Sequence, residues 1–295
     1  MKVYIVAYNI NMLFYKSYVS RLQALSKNSN AALGAIGASL CNRLIYSVFV
    51  GSKAAPRQII ITAGIHAREH ISCETVLRQI EHALDNAEKI KSLGGITFLP
   101  LLNPDGLEIL TKGILAVKPR HWLLLKKILA NQNLLLYKAN ARGVDLNVNF
   151  DALWGTGKQN LTYPHIENYI GTHPFSEPET IALRDFTTFL KPAATVSYHA
   201  KGREIYWEFG QKDKERERDR LIVEKLNEKL QYKILDDDGT SAGGYKDWCI
   251  QSLGIPSFTI ELVDDNHSHP FVDYNLAKED IERNLDLPIR LLEQL

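Results

Sequence analysis

Short, continuous runs of apolar residues alternate along this chain with stretches in which apolar positions recur every three or four residues. QIIITAG (58–64) and ITFLPLLNP (96–104) are of the first kind, closed by Gly or by Asn-Pro-Asp-Gly, and they predict interior strands. ATVSYH (194–199) and PSFTIELV (256–263) predict two more. Helical spacing fills the intervals at Ser72 to Lys91 and at 177–190, 215–231 and 276–294. This alternation predicts an α/β fold with a largely parallel sheet covered on both faces. Lys112 to Ala141 fits less easily: WLLLKKILANQNLLLYK has helical spacing without an obvious partner and reads as a lid or an inserted helix. The mixed-sign run KDKERERDR (212–220) reads as a solvated helix face.

No repeat, low-complexity tract or long Gly/Ser/Pro linker marks a boundary, so one domain over residues 1–295 is expected. Lys and Arg number 35 against 34 Asp and Glu, a balance that argues against a nucleic-acid or membrane-surface partner. Cys41, Cys73 and Cys249 form no metal or redox spacing and are expected as reduced thiols. In MKVYIVAYNINMLFYK the apolar run is broken by Asn9 and Asn11, and no Ala-x-Ala-like cleavage site follows. No apolar run reaches the ~18 residues that cross a bilayer, so a soluble, cytoplasmic protein is expected. Oligomeric state has no signature in the sequence.

The candidate chemistry begins at TAGIHAREH (62–70), where a β-branched run ends at Gly64 and delivers His66 and Glu69 as a helix starts. His199 ends another apolar strand, and in an α/β sheet the carboxyl ends of strands gather along one edge. Two His and one Glu converging there make a catalytic zinc set, with a fourth position left for water. A base is then needed, and Glu261 in FTIEL supplies a carboxylate at another strand end. A lone Glu in an apolar strand is costly to bury without a role. HAREH also satisfies His-x-x-Glu-His, in which His70 would replace His199 as ligand, but that pattern requires His66 inside a helix.

Seven segments, HAREH, NPDG (103–106), GVDLN (143–147), FSEPE (175–179), SYH (197–199), GGYKDW (243–248) and FTIEL (258–262), stand in the order found in the zinc carboxypeptidases, or funnelins, which the chain resembles from about Ile36 onward. Residues 1–35 are a lead-in where the resemblance is weakest. It implies a twisted mixed sheet of about eight strands flanked by helices, and one Zn2+ per chain bound by His66, Glu69 and His199. Glu261 is then general base and acid, Asp145 orients the first zinc histidine, and Arg68 and Asn147 line the substrate path.

Three positions depart from the family. Its Asn-Arg pair, which clamps a C-terminal carboxylate, is here Asn147-Val148. The arginine that polarises the scissile carbonyl, nine residues before that Asn in one branch, is here Lys138, a point charge without the guanidinium fork. The tyrosine that closes over substrate is replaced by Gly239, with Tyr245 as a nearby substitute. Lys246 falls at the specificity position and favours an acidic group on the leaving residue, while Arg142 is placed to replace part of the missing clamp. KANARGVDLN and GGYKDW together resemble the bacterial γ-D-glutamyl-diaminopimelate peptidases, which implies a peptidoglycan stem peptide as substrate. A carboxypeptidase acting on acidic C-terminal residues, and a fragment-binding protein with impaired catalysis, are the alternatives. His267 and His269 in DDNHSHPF read as part of a polar loop.

Overall fold

The computed structural model describes residues 14–266 and 274–295; His267 and His269 lie outside them. The two strongest apolar runs form β3 (Gln58–Thr62) and β4 (Gly95–Leu99), and the later two form β5 (Ala194–Ala200) and β8 (Ser257–Leu262). They are joined in one sheet by β1 (Ala32–Ala38), β2 (Leu44–Gly51), β6 (Glu204–Tyr206) and β7 (Lys233–Leu235), in the order β1-β2-β4-β3-β5-β8-β6-β7. The central strands β4, β3, β5 and β8 are parallel, whereas β2 joins β4, and β6 joins β8, antiparallel. The sheet is therefore mixed rather than largely parallel: β1 and β2 form a hairpin whose second strand runs against β4, and β6, with β7 parallel to it, runs against β8.

Burial on both faces makes β3 a continuous apolar run. Ile59 and Ile61 face a core completed by Val76, Leu77 and Ile80 of α2 (His70–Asp85) and Leu291 of α10 (Leu287–Gln294). Ile60 faces the opposite core, with Leu183 of α6 (Pro178–Leu190) and Trp248 of α8 (Tyr245–Leu253). Each such isoleucine contributes roughly 1.5–3 kcal/mol through burial. The helix expected over 72–91 is two helices, α2 and α3 (Ala87–Leu93), broken at Asn86, whose φ of −112° leaves the helical region. Likewise 276–294 divides into α9 (Tyr274–Asn284) and α10, with Pro288 in the first turn of the second.

Lys112–Ala141 contains one two-turn helix, α5 (Trp122–Ile128), set among 3₁₀ turns. Its partner is a separate apolar cluster, in which Leu125, Ile128 and Tyr137 pack against Ile109 and Ile166. The charged run opens α7 (Asp213–Leu230), largely solvated as expected, except that Asp219 is buried and accepts hydrogen bonds from Gln211 and Arg218.

Among the parallel strands the chain passes from β3 to β4 on one side, while β5 and β8 lie on the other. The direction of winding reverses between β3 and β5, and the crevice beyond their carboxyl ends is where α/β sheets hold ligands.

Candidate metal centre

Beyond Thr62 the chain must leave the sheet without covering that crevice, and Gly64 makes the bend at φ +62°, a conformation costly to residues with a Cβ. His66 and Glu69 follow in the loop, and α2 begins only at His70. With His66 outside the helix, the His-x-x-Glu-His arrangement does not form. Among the described residues, the group able to hold a metal ion is His66, Glu69 and His199, whose donor atoms lie within 4.8 Å of one another.

The buried His66 ring meets Asp145 Oδ1 through Nε2 at 3.1 Å. A carboxylate only accepts, so that hydrogen belongs to the ring and Nδ1 faces the group. Nδ1 lies 2.8 Å from Glu69 Oε1 and 3.1 Å from His199 Nδ1, which itself lies 3.1 Å from Glu69 Oε2. Two imidazole nitrogens and a carboxylate thus converge from three buried residues, a set that fits zinc and leaves a fourth position open. Burial pushes the His66 ring down, but Glu69 and Asp145 outweigh it and hold it at about 9. Burial likewise opposes ionisation of Glu69, and His66 and His199 overcome it, keeping that carboxyl well below its ordinary range.

Glu261 of β8 sits directly beside His199 in the parallel register. The residue is half-buried, and burial first and the Glu69 charge second push its carboxyl up to about 8. Lys138 is half-buried, makes no ion pair with a described residue, and its positive charge bears on His66, Asp145, His199 and Glu261. Its backbone is clamped: Lys138 O accepts from Ala67 N and from Asn103 Nδ2. Asn103 is a residue whose role the sequence did not disclose. It caps α4 (Pro104–Lys112) through Gly106 N and donates to Ile65, Lys138 and Ala139 carbonyls, stitching both loops of the site together. Asn followed by Pro-Asp-Gly is the N-cap signature that points to it.

Asn147 lies two residues beyond Asp145, its Oδ1 accepting from Tyr245 N at 3.4 Å. Arg68 turns to Leu136 O, with Glu167 at 3.6 Å. Two expected cations are engaged by neighbours. Lys246, 11% exposed in its side chain, contacts Asp247 Oδ1 at 2.6 Å and Glu208 O at 2.8 Å. Arg142 donates through Nε to Glu177. Tyr245 does not substitute for the missing tyrosine: it is buried, with its hydroxyl on Thr187.

The sequence profile of the zinc carboxypeptidases matches residues 17–286. The chain is 30% identical over 256 residues to the gamma-D-glutamyl-L-diamino acid endopeptidase 1 of Lysinibacillus sphaericus, covering 81% of this chain and 62%, less than two thirds, of that protein. Its fold is shared by solved structures, two of which show the range. Bovine thrombin-activatable fibrinolysis inhibitor superposes with a TM-score of 0.77 at 19% identity, over 96% of this chain and 97% of the other. The murein-tripeptide amidase of Escherichia coli O157 superposes with a TM-score of 0.53 at 23% identity, over 88% and 91%. The carboxypeptidase topology, the buried His-Glu-His group and the match over nearly the whole chain lead to one conclusion: the chain belongs to the zinc carboxypeptidase family.

Proposed function

We propose that the protein is a zinc metallopeptidase that hydrolyses the γ-D-glutamyl–meso-diaminopimelate bond of peptidoglycan stem peptides. The observation that carries the hydrolytic reading is the register of β5 and β8, which sets the Glu261 carboxyl beside His199 with the Lys138 charge bearing on both. Zinc held by His66, Glu69 and His199 supplies a Lewis-acid charge and lowers the pKa of water. Glu261 takes a proton from the attacking water and returns it to the leaving amine. Lys138 faces the negative charge that develops on the scissile oxygen. Asp145 holds the His66 ring in the tautomer that ligation needs. Asn147 and Arg68 lie along the substrate path.

The substrate reading is supported by Val148, which leaves Asn147 without the guanidinium that clamps an ordinary C-terminus, and by the similarity to a γ-D-glutamyl-L-diamino acid endopeptidase. Zinc-loaded protein is expected to release diaminopimelate from L-Ala-γ-D-Glu-meso-diaminopimelate, sensitive to chelator and read by mass spectrometry, and to leave hippuryl-glutamate intact. Cleavage of hippuryl-glutamate alone would establish the general carboxypeptidase instead. Binding of the tripeptide without cleavage would make the protein a receptor.

A further inference from the structure

The register that places Glu261 beside His199 continues across two more strands. Glu204 of β6 lies directly opposite Glu261, and Lys233 of β7 directly beside Glu204. Directly paired residues put their side chains on the same face of a sheet. The intervening residues Tyr198, Ile260 and Ile205 are 1% exposed and belong to the apolar core on the opposite face. The row from His199 to Glu204 therefore lies on the face that carries the metal group.

Among the described residues Glu204 makes a single, long ion pair. Tyr206 donates to its Oε2 at 2.9 Å, and Lys233, itself 70% exposed, approaches Oε1 only to 3.8 Å. Burial, followed by Glu204 itself, pushes the Tyr206 phenol up, so its hydroxyl remains a donor that fixes the carboxylate. The charges of Glu261 and Asp238 also bear on this phenol, so three carboxylates act on it, while Lys233 stands at the exposed edge of the row. Lys246, by contrast, has its charge balanced by Asp247. A group that completes this side carries a positive charge.

We propose that Glu204, braced by Tyr206, receives the side-chain ammonium of the residue on the leaving side of the scissile bond, making it a specificity determinant for a diamino acid. The assignment rests on the peptidase reading of the site. It shifts the basis of selection from an acidic side-chain group at Lys246 to the second amine that every diamino acid carries. A carboxylate and an ammonium desolvated together recognise each other by charge and hydrogen bond, and an apolar or acidic side chain leaves Glu204 unpaired.

The test uses two pairs of peptides. One is L-Ala-γ-D-Glu-meso-diaminopimelate against the same peptide ending in L-α-aminopimelate, which lacks the distal amine. The other is hippuryl-lysine against hippuryl-norleucine. Wild-type zinc-loaded protein and Glu204→Gln are compared for kcat/KM, and for affinity by calorimetry in a Glu261→Gln background. The amine is expected to favour cleavage or binding by about 10- to 100-fold, the scale of one charged hydrogen bond. Glu204→Gln, which can still accept from Tyr206, is expected to abolish that preference while retaining the amine-free peptide. If only the hippuryl pair is discriminated, and Glu204→Gln removes the discrimination, Glu204 keeps its role and the wall-peptide reading falls. If no pair is discriminated, or the variant discriminates as well as the wild type, Glu204 is a cross-strand partner of Lys233 and the proposal is overturned.

Discussion

Asp145 accepts from His66 Nε2 and Asn147 N on one oxygen and from Asn168 N on the other, so one carboxylate orients a ligand and two loops. The His66 ring and these hydrogen bonds hold Asp145 well below the ordinary carboxylate range in spite of its burial. Glu261 has the opposite surroundings, burial and a like charge, and these suit it to hold and release a proton near neutrality. Glu261→Gln is expected to retain one zinc per chain by metal analysis while kcat/KM falls at least ~100-fold; undiminished turnover would remove Glu261 from the mechanism. A second raised carboxyl lies away from the groove. Burial and then Asp105 push Glu179 up to about 8, while the unfolded chain releases the same proton near ~4.3. The folded state therefore binds more protons in that window. The stability from Glu179 is complete below the unfolded value and is lost as pH rises through about 8. Thermal melts from pH 5 to 9 are expected to show Tm falling more steeply for wild type than for Glu179→Gln, with the variant the more stable at pH 9. Parallel curves would show that Glu179 is already ionised in the fold.

At the scale of elements, the site depends on how β3 hands over to α2. A Cβ on Gly64 would stand 2.6 Å from Cys73 Sγ and 3.2 Å from Leu101 Cα, at a positive φ that disfavours any side chain. Gly64→Ala is expected to cost roughly 2–5 kcal/mol, combining left-handed strain with overpacking, and to weaken zinc binding by moving His66. Denaturant melts and zinc affinity read both effects, and a neutral result would mean that the bend can relax without disturbing the ligands. Asn103 serves the same purpose at the end of β4, since its side chain ties Ile65, which precedes His66, to Lys138 and Ala139. Two loops distant in sequence are held by one amide.

For the molecule as a whole, the metal group is a focus of buried charge that belongs to both halves of the sheet. His66 and Glu69 follow β3, whereas His199 ends β5, so an ion bound by all three ties the β3–β4 half to the β5–β8 half. Zinc binds the folded state and thereby stabilises it. Saturating zinc is expected to raise Tm by several degrees over chelator-treated protein, and His199→Ala to lose most of that difference. An equal zinc shift in His199→Ala would place the ion elsewhere.

The sequence by itself determined the four central strands, most of the helices and the metal group. Strand burial and helical amphipathicity are local patterns, His199 and Glu261 stand in apolar strands where a polar residue has no reason to be unless it has a partner, and His66 and Glu69 follow directly on the end of another. It did not determine the flanking strands, of which β6 and β7 are three residues each and too short to show a period. Nor did it disclose the breaks at Asn86 and before Pro288, which lie within continuous apolar spacing. Tertiary structure alone decided strand order, and with it the opposition of Glu204 to Glu261, the contact of Lys246 with the Glu208 carbonyl and the burial of Tyr245. These are relations between segments far apart in the chain, and only the packing of the sheet brings their charges within reach of one another.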